Sequence, residues 1–355
     1  MYDHLNFCDV RQTKTTDYNE LVDLAQGDYA YNSSFVDLSG AQITNEGTLI
    51  YNGHEQRMTQ PAFIKLCRQL RIPDPFAKYI PWDLLKHNID TLSQTSPKGA
   101  QVFTRTVDGS QEIVNVASDS FVPVPHQVFI NHIREHSPDI KRGVISDINM
   151  EIDVTNPNFN EETGFIPIEV EVGDIVETGL NFNNSTSGHN FTSAKLFLWR
   201  LVCTNGMTMP VKSGYAKLRS KPGRDIMVSV NNFLTQVGRL SLDSANLGKQ
   251  FKALNRPLNP LEFTKYFKGL DKVIRDKEFL DDEVFEISSD DRSLILSQER
   301  SFKKGNLTEL VDTTVNGYRM VNNLTNKAKE FEQITRQKME AYGGKILADQ
   351  EIGES

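Results

Sequence analysis

A change of hydrophobic period near residue 210 constrains the fold more than any other feature of the chain. From Val144 onward, apolar residues recur as Ile145, Ile148, Met150, Ile152 and Val154, then as Ile166, Ile168, Val170 and Val172. The second run alternates with Glu169, Glu171 and Asp174, as a strand with one wet face requires. After about Lys212 the spacing becomes helical, and basic and aromatic residues dominate. These two regimes predict an α+β protein, with an antiparallel, β-rich body followed by a mostly helical C-terminal part. The expected segments are a polar stretch at 1–44, an α+β body at 45–210, a basic aromatic helical region at 211–278, and an acidic break with a long C-terminal helix at 279–355.

Local signals fill in this outline. Asp108-Gly109 between alternating apolar runs predicts a hairpin over 101–117, and Asn45-Glu46-Gly47 predicts another over 41–51. Residues 18–25 form a short helical candidate. Thr59 and Pro61 open a helical pattern that closes at Ile72-Pro73. Residues 76–92 read as a further helix with Pro81 inside it, and 125–136 as a short amphipathic one. Residues 180–188 read as a turn region. Leu307, Val311, Tyr318, Val321, Ala328, Phe331 and Ile334 predict one long helix toward Ala341.

At 355 residues, with 38% apolar and 24% charged residues, the composition is that of a folded globular chain. No run approaches the roughly 18 apolar residues that span a bilayer, so no membrane partner is expected. The polar start Met1–Asn6 has no basic region followed by an apolar one, and Cys8, Cys67 and Cys203 are too few and too scattered for a disulfide framework. Both features lead to an expectation of a cytoplasmic protein.

The net charge of -8 conceals a strong segregation. Residues 143–194 carry nine carboxylates and no Lys or Arg, whereas residues 195–278 carry sixteen Lys/Arg against six Asp/Glu. Lys212, Lys217, Arg219, Lys221 and Arg224 surround Tyr215 and Pro222-Gly223. Further on, Lys249, Lys252, Arg256, Lys265 and Lys268 interleave with Phe251, Phe263, Tyr266 and Phe267. Cations for phosphates and aromatic faces for unstacked bases are the two ingredients of single-strand binding. The competing reading puts the aromatics in helix cores and the charges in water. In the binding reading the Lys and Arg residues contact phosphate, while Tyr215 or Phe251 stacks on a base.

Other motifs carry less. His132-Ile133-Arg134-Glu135-His136 matches the H-x-x-E-H zinc pattern, but Ser137-Pro138 ends the helix at once and no third ligand follows. It reads as a solvated helix end, with a zinc hydrolase through His132 and His136 as a minor alternative. Cys203, between an apolar run and Asn205-Gly206, reads as a structural thiol. The carboxylates of 143–194 lack the spacing of a calcium loop. Phosphate-loop, dinucleotide and G-x-S-x-G fingerprints are missing from the sequence, so neither a cofactor nor catalysis is expected.

The stretch from Asp174 through Gly179, Asn184-Ser185 and Gly188-His189 to Trp199-Arg200-Leu201-Val202-Cys203-Thr204-Asn205-Gly206-Met207 resembles the central signature of the phage/plasmid-like proteins called domain of unknown function 932. The helix over 63–73 and the run Ala117-Ser118-Asp119-Ser120-Phe121-Val122-Pro123-Val124 fit the same pattern, and the similarity covers most of 45–340. The resemblance implies a phage or plasmid origin and supplies no catalytic residue. The expected function is a non-enzymatic single-stranded DNA-binding protein, accessory to replication or recombination. The alternative is an assembly protein that forms homo-oligomers through its C-terminal helix.

Overall fold

The structure is a computed structural model, and it describes residues 5–51, 53–95, 99–137, 139–155, 168–171, 174–200, 205–208, 215–218, 223, 225–273, 284–331 and 333–349. The chain opens with β1 (Gln12–Thr15), α1 (Tyr18–Gln26), β2 (Asn32–Asp37), β3 (Gln42–Ile43), β4 (Leu49–Tyr51) and β5 (His54–Gln56). Helices α2 (Gln60–Gln69), α3 (Asp74–Tyr79) and α4 (Trp82–Thr95) precede the hairpin β6 (Gly99–Val107) and β7 (Ser110–Ser118). Next come α5 (His126–His136), β8 (Ile140–Ser146), β9 (Met150–Thr155), β10 (Ile168–Glu171) and β11 (Asp174–Asn184). Strands β12 (Ser193–Arg200), β13 (Asn205–Thr208) and β14 (Tyr215–Lys217) close the β-rich part. The helices that follow are α6 (Ile226–Leu254), α7 (Pro260–Leu270), α8 (Ser289–Lys303), α9 (Gly317–Ala328) and α10 (Gln333–Ala348).

With about 44% helix and 26% strand in antiparallel sheets, the fold is α+β. The largest sheet runs β1-β8-β9-β11-β12-β13, with β10 on β11 and β14 on β12. Strands β2-β6-β7 and β3-β4-β5 form two three-stranded sheets. No helix among the described residues is long and apolar enough to cross a membrane.

Local chemistry explains several of the element boundaries. Asp17 accepts from the Asn19 N–H to cap α1, and Thr59 accepts from Ala62 N–H to cap α2, where Pro61 occupies the first turn. Asp108 and Gly109 both have positive φ, 49° and 79°, which is the mirror-image turn that matches strand twist. In α7, Asn259 and Glu262 form a reciprocal capping box with Pro260 in the first turn.

Three sequence expectations are corrected. The helix over 76–92 divides in two, because Pro81 lacks an N–H and disfavours helical geometry at Ile80, which is extended at φ -82°, ψ 153°. The turn region at 180–188 begins later, since β11 continues to Asn184. The long helix from 307 does not form. Residues 304–316 are irregular, with Val311 73% exposed, and the helices begin only at Gly317 and Gln333. Its β-branched run Thr313-Thr314-Val315 favours extended backbone. Leu258 fixes that run from both sides, as Thr313 N–H donates to Leu258 O at 2.8 Å and Leu258 N–H donates to Val315 O at 2.9 Å. The oligomerisation surface expected from heptad spacing on a single long helix is therefore not built.

The chain divides into two compact units, each discontinuous in sequence. Unit 1 comprises Met1–Ile152, Phe182–Ser193 and Lys217–Phe233. Its core gathers Phe63, Leu66 and Cys67 of α2 with Leu85 and Ile89 of α4 and Val102, Ile113 and Val116 of the hairpin. A second knot of rings joins Phe129, Phe182 and Phe233, with centroids 6.0–6.5 Å apart. Unit 2 comprises Asp153–Asn181, Ala194–Ala216 and Leu234–Ser355. Its rings pack as Phe251 on Tyr318 at 5.6 Å and Phe263 on Phe285 at 5.0 Å.

Candidate anion-binding cleft

Helix α2 turns its apolar side into the core of unit 1, and Lys65 and Arg68, three residues apart, share its other side. They line a cleft of about 720 Å³ together with Phe121, His189, Phe191 and Lys217. Ser118, Ser120 and Ser185 add hydroxyls to its wall, and Ser118 and Ser120 hydrogen-bond each other at 3.2 Å. No carboxylate is found among the described lining residues.

The segment 184–192 forms one wall, and buried polar contacts fix it. Asn184 Nδ2 donates to Val124 O at 2.9 Å and to His126 Nδ1 at 3.1 Å, while Thr192 Oγ1 donates to Asn184 Oδ1 at 2.6 Å. Ser185 Oγ donates to Ile148 O at 2.7 Å, and Asn115 Nδ2 donates to Ser187 O. His189 N–H donates to Ser185 Oγ, and its Nε2–H donates to Val114 O at 3.0 Å. Gly188 sits at φ +81°, and a Cβ there would lie 3.0 Å from the Phe121 ring. A side chain at this position would be strained by the backbone and would crowd the cleft wall.

Two histidines in this wall are neutral. Burial pushes His126 down to about 3, and burial lowers His189 to about 4. Since Val114 O can only accept, His189 carries its proton on Nε2.

The cations of the cleft are held differently from one another. Lys65 Nζ donates to Gly188 O at 3.3 Å and to His189 O at 3.2 Å, carbonyls that carry no countercharge. Burial, and next the Arg68 charge, hold its ammonium below the usual lysine range. Arg68 pairs with Asp74 through Nε, at 2.6 Å, and through Nη2. Leu218 N–H donates to Thr192 O at 2.9 Å, so Lys217 lies beside the 184–192 segment, with Nζ 3.0 Å from the Phe191 ring centroid. Phe191 itself is 67% exposed.

Elsewhere in unit 1, Asp147, 1% exposed, receives Arg105 and Arg11, and Arg105 also donates to Glu112 at 2.7 Å. This buried charge set is internally paired. Cys8 lies beside it, and burial, followed by the Glu112 contact, pushes its thiol up to about 12. Burial likewise takes Cys67 to about 12, so neither thiol is a ready nucleophile.

The residues expected from the sequence to bind nucleic acid fall into several groups. Lys217 is in the cleft. Lys212, Arg219, Lys221 and Arg224 lie outside the described residues, as does the side chain of Lys249. Tyr215 is half-buried on β14. In unit 2, Lys252 and Lys268 are exposed, Arg256 is engaged by Glu262 at 2.6 and 2.9 Å, and Lys265 pairs with Asp349 at 3.0 Å. Phe251 is corrected from a stacking residue to a core residue: it is 2% exposed, with its ring packed edge-on to Tyr318. Phe263, Tyr266 and Phe267 are buried as well, which is the core reading of that aromatic run.

His132 lies 3.4 Å from Glu135, and His136 Nδ1–H donates to the His132 carbonyl at 2.9 Å, which turns that nitrogen onto the helix backbone. Among the described residues, no group of three or more His, Cys, Asp or Glu is placed to hold a metal ion. Cys203 lies outside the described residues.

Sequence reasoning missed Lys65, Arg68, Phe121 and Phe191 as site residues. The one signal available was the i, i+3 pair of cations on the polar side of an otherwise apolar α2. Compared with protein-family models, with curated proteins and with solved structures, the chain matches none.

Proposed function

We propose that this protein binds single-stranded nucleic acid, DNA in the first place, through the cleft of unit 1, as a non-catalytic accessory to replication or recombination. One observation carries the reading: Lys65, Arg68 and Lys217 line a single cleft whose rim holds Phe191, a ring 67% exposed with an ammonium on one face. Phosphates need the cations, and an unpaired base needs an exposed aromatic face. Duplex bases offer no free face, which favours single strands.

The test is fluorescence anisotropy of a labelled oligonucleotide against salt. Three phosphate contacts give an expected log–log slope of about -2, from roughly 0.7 per phosphate on single strands. The absence of binding at 50 mM salt would refute the proposal, and so would a slope near zero.

A further inference from the structure

The cleft has a finite size and a charge pattern that favour one part of a nucleic-acid strand. Its volume of about 720 Å³ falls among small-ligand sites, roughly 300–1,000 Å³, rather than grooves that track about 4–16 nucleotides. A strand running past such a cleft would leave it largely unfilled, whereas a strand end enters it.

The donors point the same way. Two of the three N–H groups of Lys65 are on Gly188 O and His189 O, and the third has no hydrogen-bond partner among the described residues. Arg68 uses Nε and Nη2 for Asp74, which leaves Nη1 without a hydrogen-bond partner among the described residues. The Lys65 ammonium is partly withdrawn from water onto neutral carbonyls, and Asp74, which offsets part of the local positive charge, is engaged by Arg68 rather than by Lys65. An internal phosphodiester brings a single negative charge. A terminal phosphate monoester brings about -1.5 to -2 and three acceptor oxygens. We infer that the cleft is a strand-end site, in which Lys65 and Arg68 grip a terminal phosphate monoester while the terminal base stacks on the open face of Phe191. This inference rests on the nucleic-acid reading above.

The experiment compares oligonucleotides of one sequence, using the full chain: 5′-phosphorylated, 3′-phosphorylated, hydroxyl-ended at both ends, and circularised. A free nucleoside monophosphate serves as competitor. The expected result is binding about tenfold tighter or more for one phosphorylated end over the hydroxyl-ended strand, the effect of an added charge-assisted contact. The circle binds no better than the hydroxyl-ended strand. Lys65→Gln and Arg68→Gln each bring the ratio toward one, with unchanged thermal unfolding showing that the fold is intact.

Equal binding of all four forms would overturn the strand-end site and leave single-strand binding standing. A competitor that matches the oligonucleotide in affinity would overturn it in favour of a small-molecule pocket. Failure of every form to bind would remove the nucleic-acid reading itself.

Discussion

The ammonium of Lys217 stands 3.0 Å from the centroid of the Phe191 ring, so one aromatic face carries a cation while the ring remains 67% exposed. A phenylalanine this exposed contributes little to the core. Its burial would be recovered by stacking against a planar ligand.

Phe191→Ala is expected to weaken oligonucleotide binding by about 5- to 150-fold, from roughly 1–3 kcal/mol per stacked base. The unfolding temperature stays within a degree or two, because the ring is mostly in water already. Lys217→Gln should lower the salt slope by about 0.7. Anisotropy titrations at several salt concentrations read both effects, and an unchanged affinity for Phe191→Ala would remove the stacking platform.

Phe251 makes the opposite case. Fully packed on Tyr318, it should cost about 3–5 kcal/mol of stability when cut to Ala, without changing affinity per folded molecule. Phe251→Leu, which keeps most of the volume, should unfold at an intermediate denaturant concentration and bind as the parent does. Loss of binding in either variant at unchanged stability would return Phe251 to the ligand surface.

Stability should also depend on pH through two buried rings. His126 is held down to about 3 and His189 to about 4, whereas an unfolded histidine titrates near 6.5. The unfolded chain therefore takes up protons first as pH falls. The stabilisation is fully present above about 6.5 and is lost progressively toward the folded values. Urea midpoints measured at pH 7.5, 6.5 and 5.5 are expected to fall, and His126→Gln should flatten part of that fall. A midpoint constant down to pH 5 would show that these rings are not buried in neutral form.

The elements legible in the sequence are those whose cause is local. Asp108-Gly109 dictates its hairpin and Thr59 with Pro61 dictates the start of α2, because the controlling atoms lie within a few residues. Residues 307–315 misled because their apolar spacing is helical, yet the backbone bonds that decide their conformation come from Leu258, some fifty positions away.

The cleft was hard to read for the same reason. Charge density along the chain pointed to Lys249, Lys252 and Arg256, but proximity in sequence is not proximity in space. Lys65, Phe191 and Lys217 meet from three separated stretches, and only Lys217 lay in the region that the charge count marked.

The interleaving of the two units has a consequence for how the protein is made. Unit 1 needs residues up to Phe233, and unit 2 begins at Asp153, before unit 1 is complete. On a ribosome that emits the chain N-terminus first, unit 1 lacks its last segment until Phe233 has emerged, and by then two segments of unit 2 are already out and must wait for Leu234–Ser355. A stop codon or a cloning boundary placed anywhere between Asp153 and Phe233 would leave both units incomplete. Trimming the gene after Phe233 keeps all of unit 1 but carries two orphaned segments of unit 2, so a minimal cleft-bearing fragment would need those segments bridged as well as the C-terminal part removed.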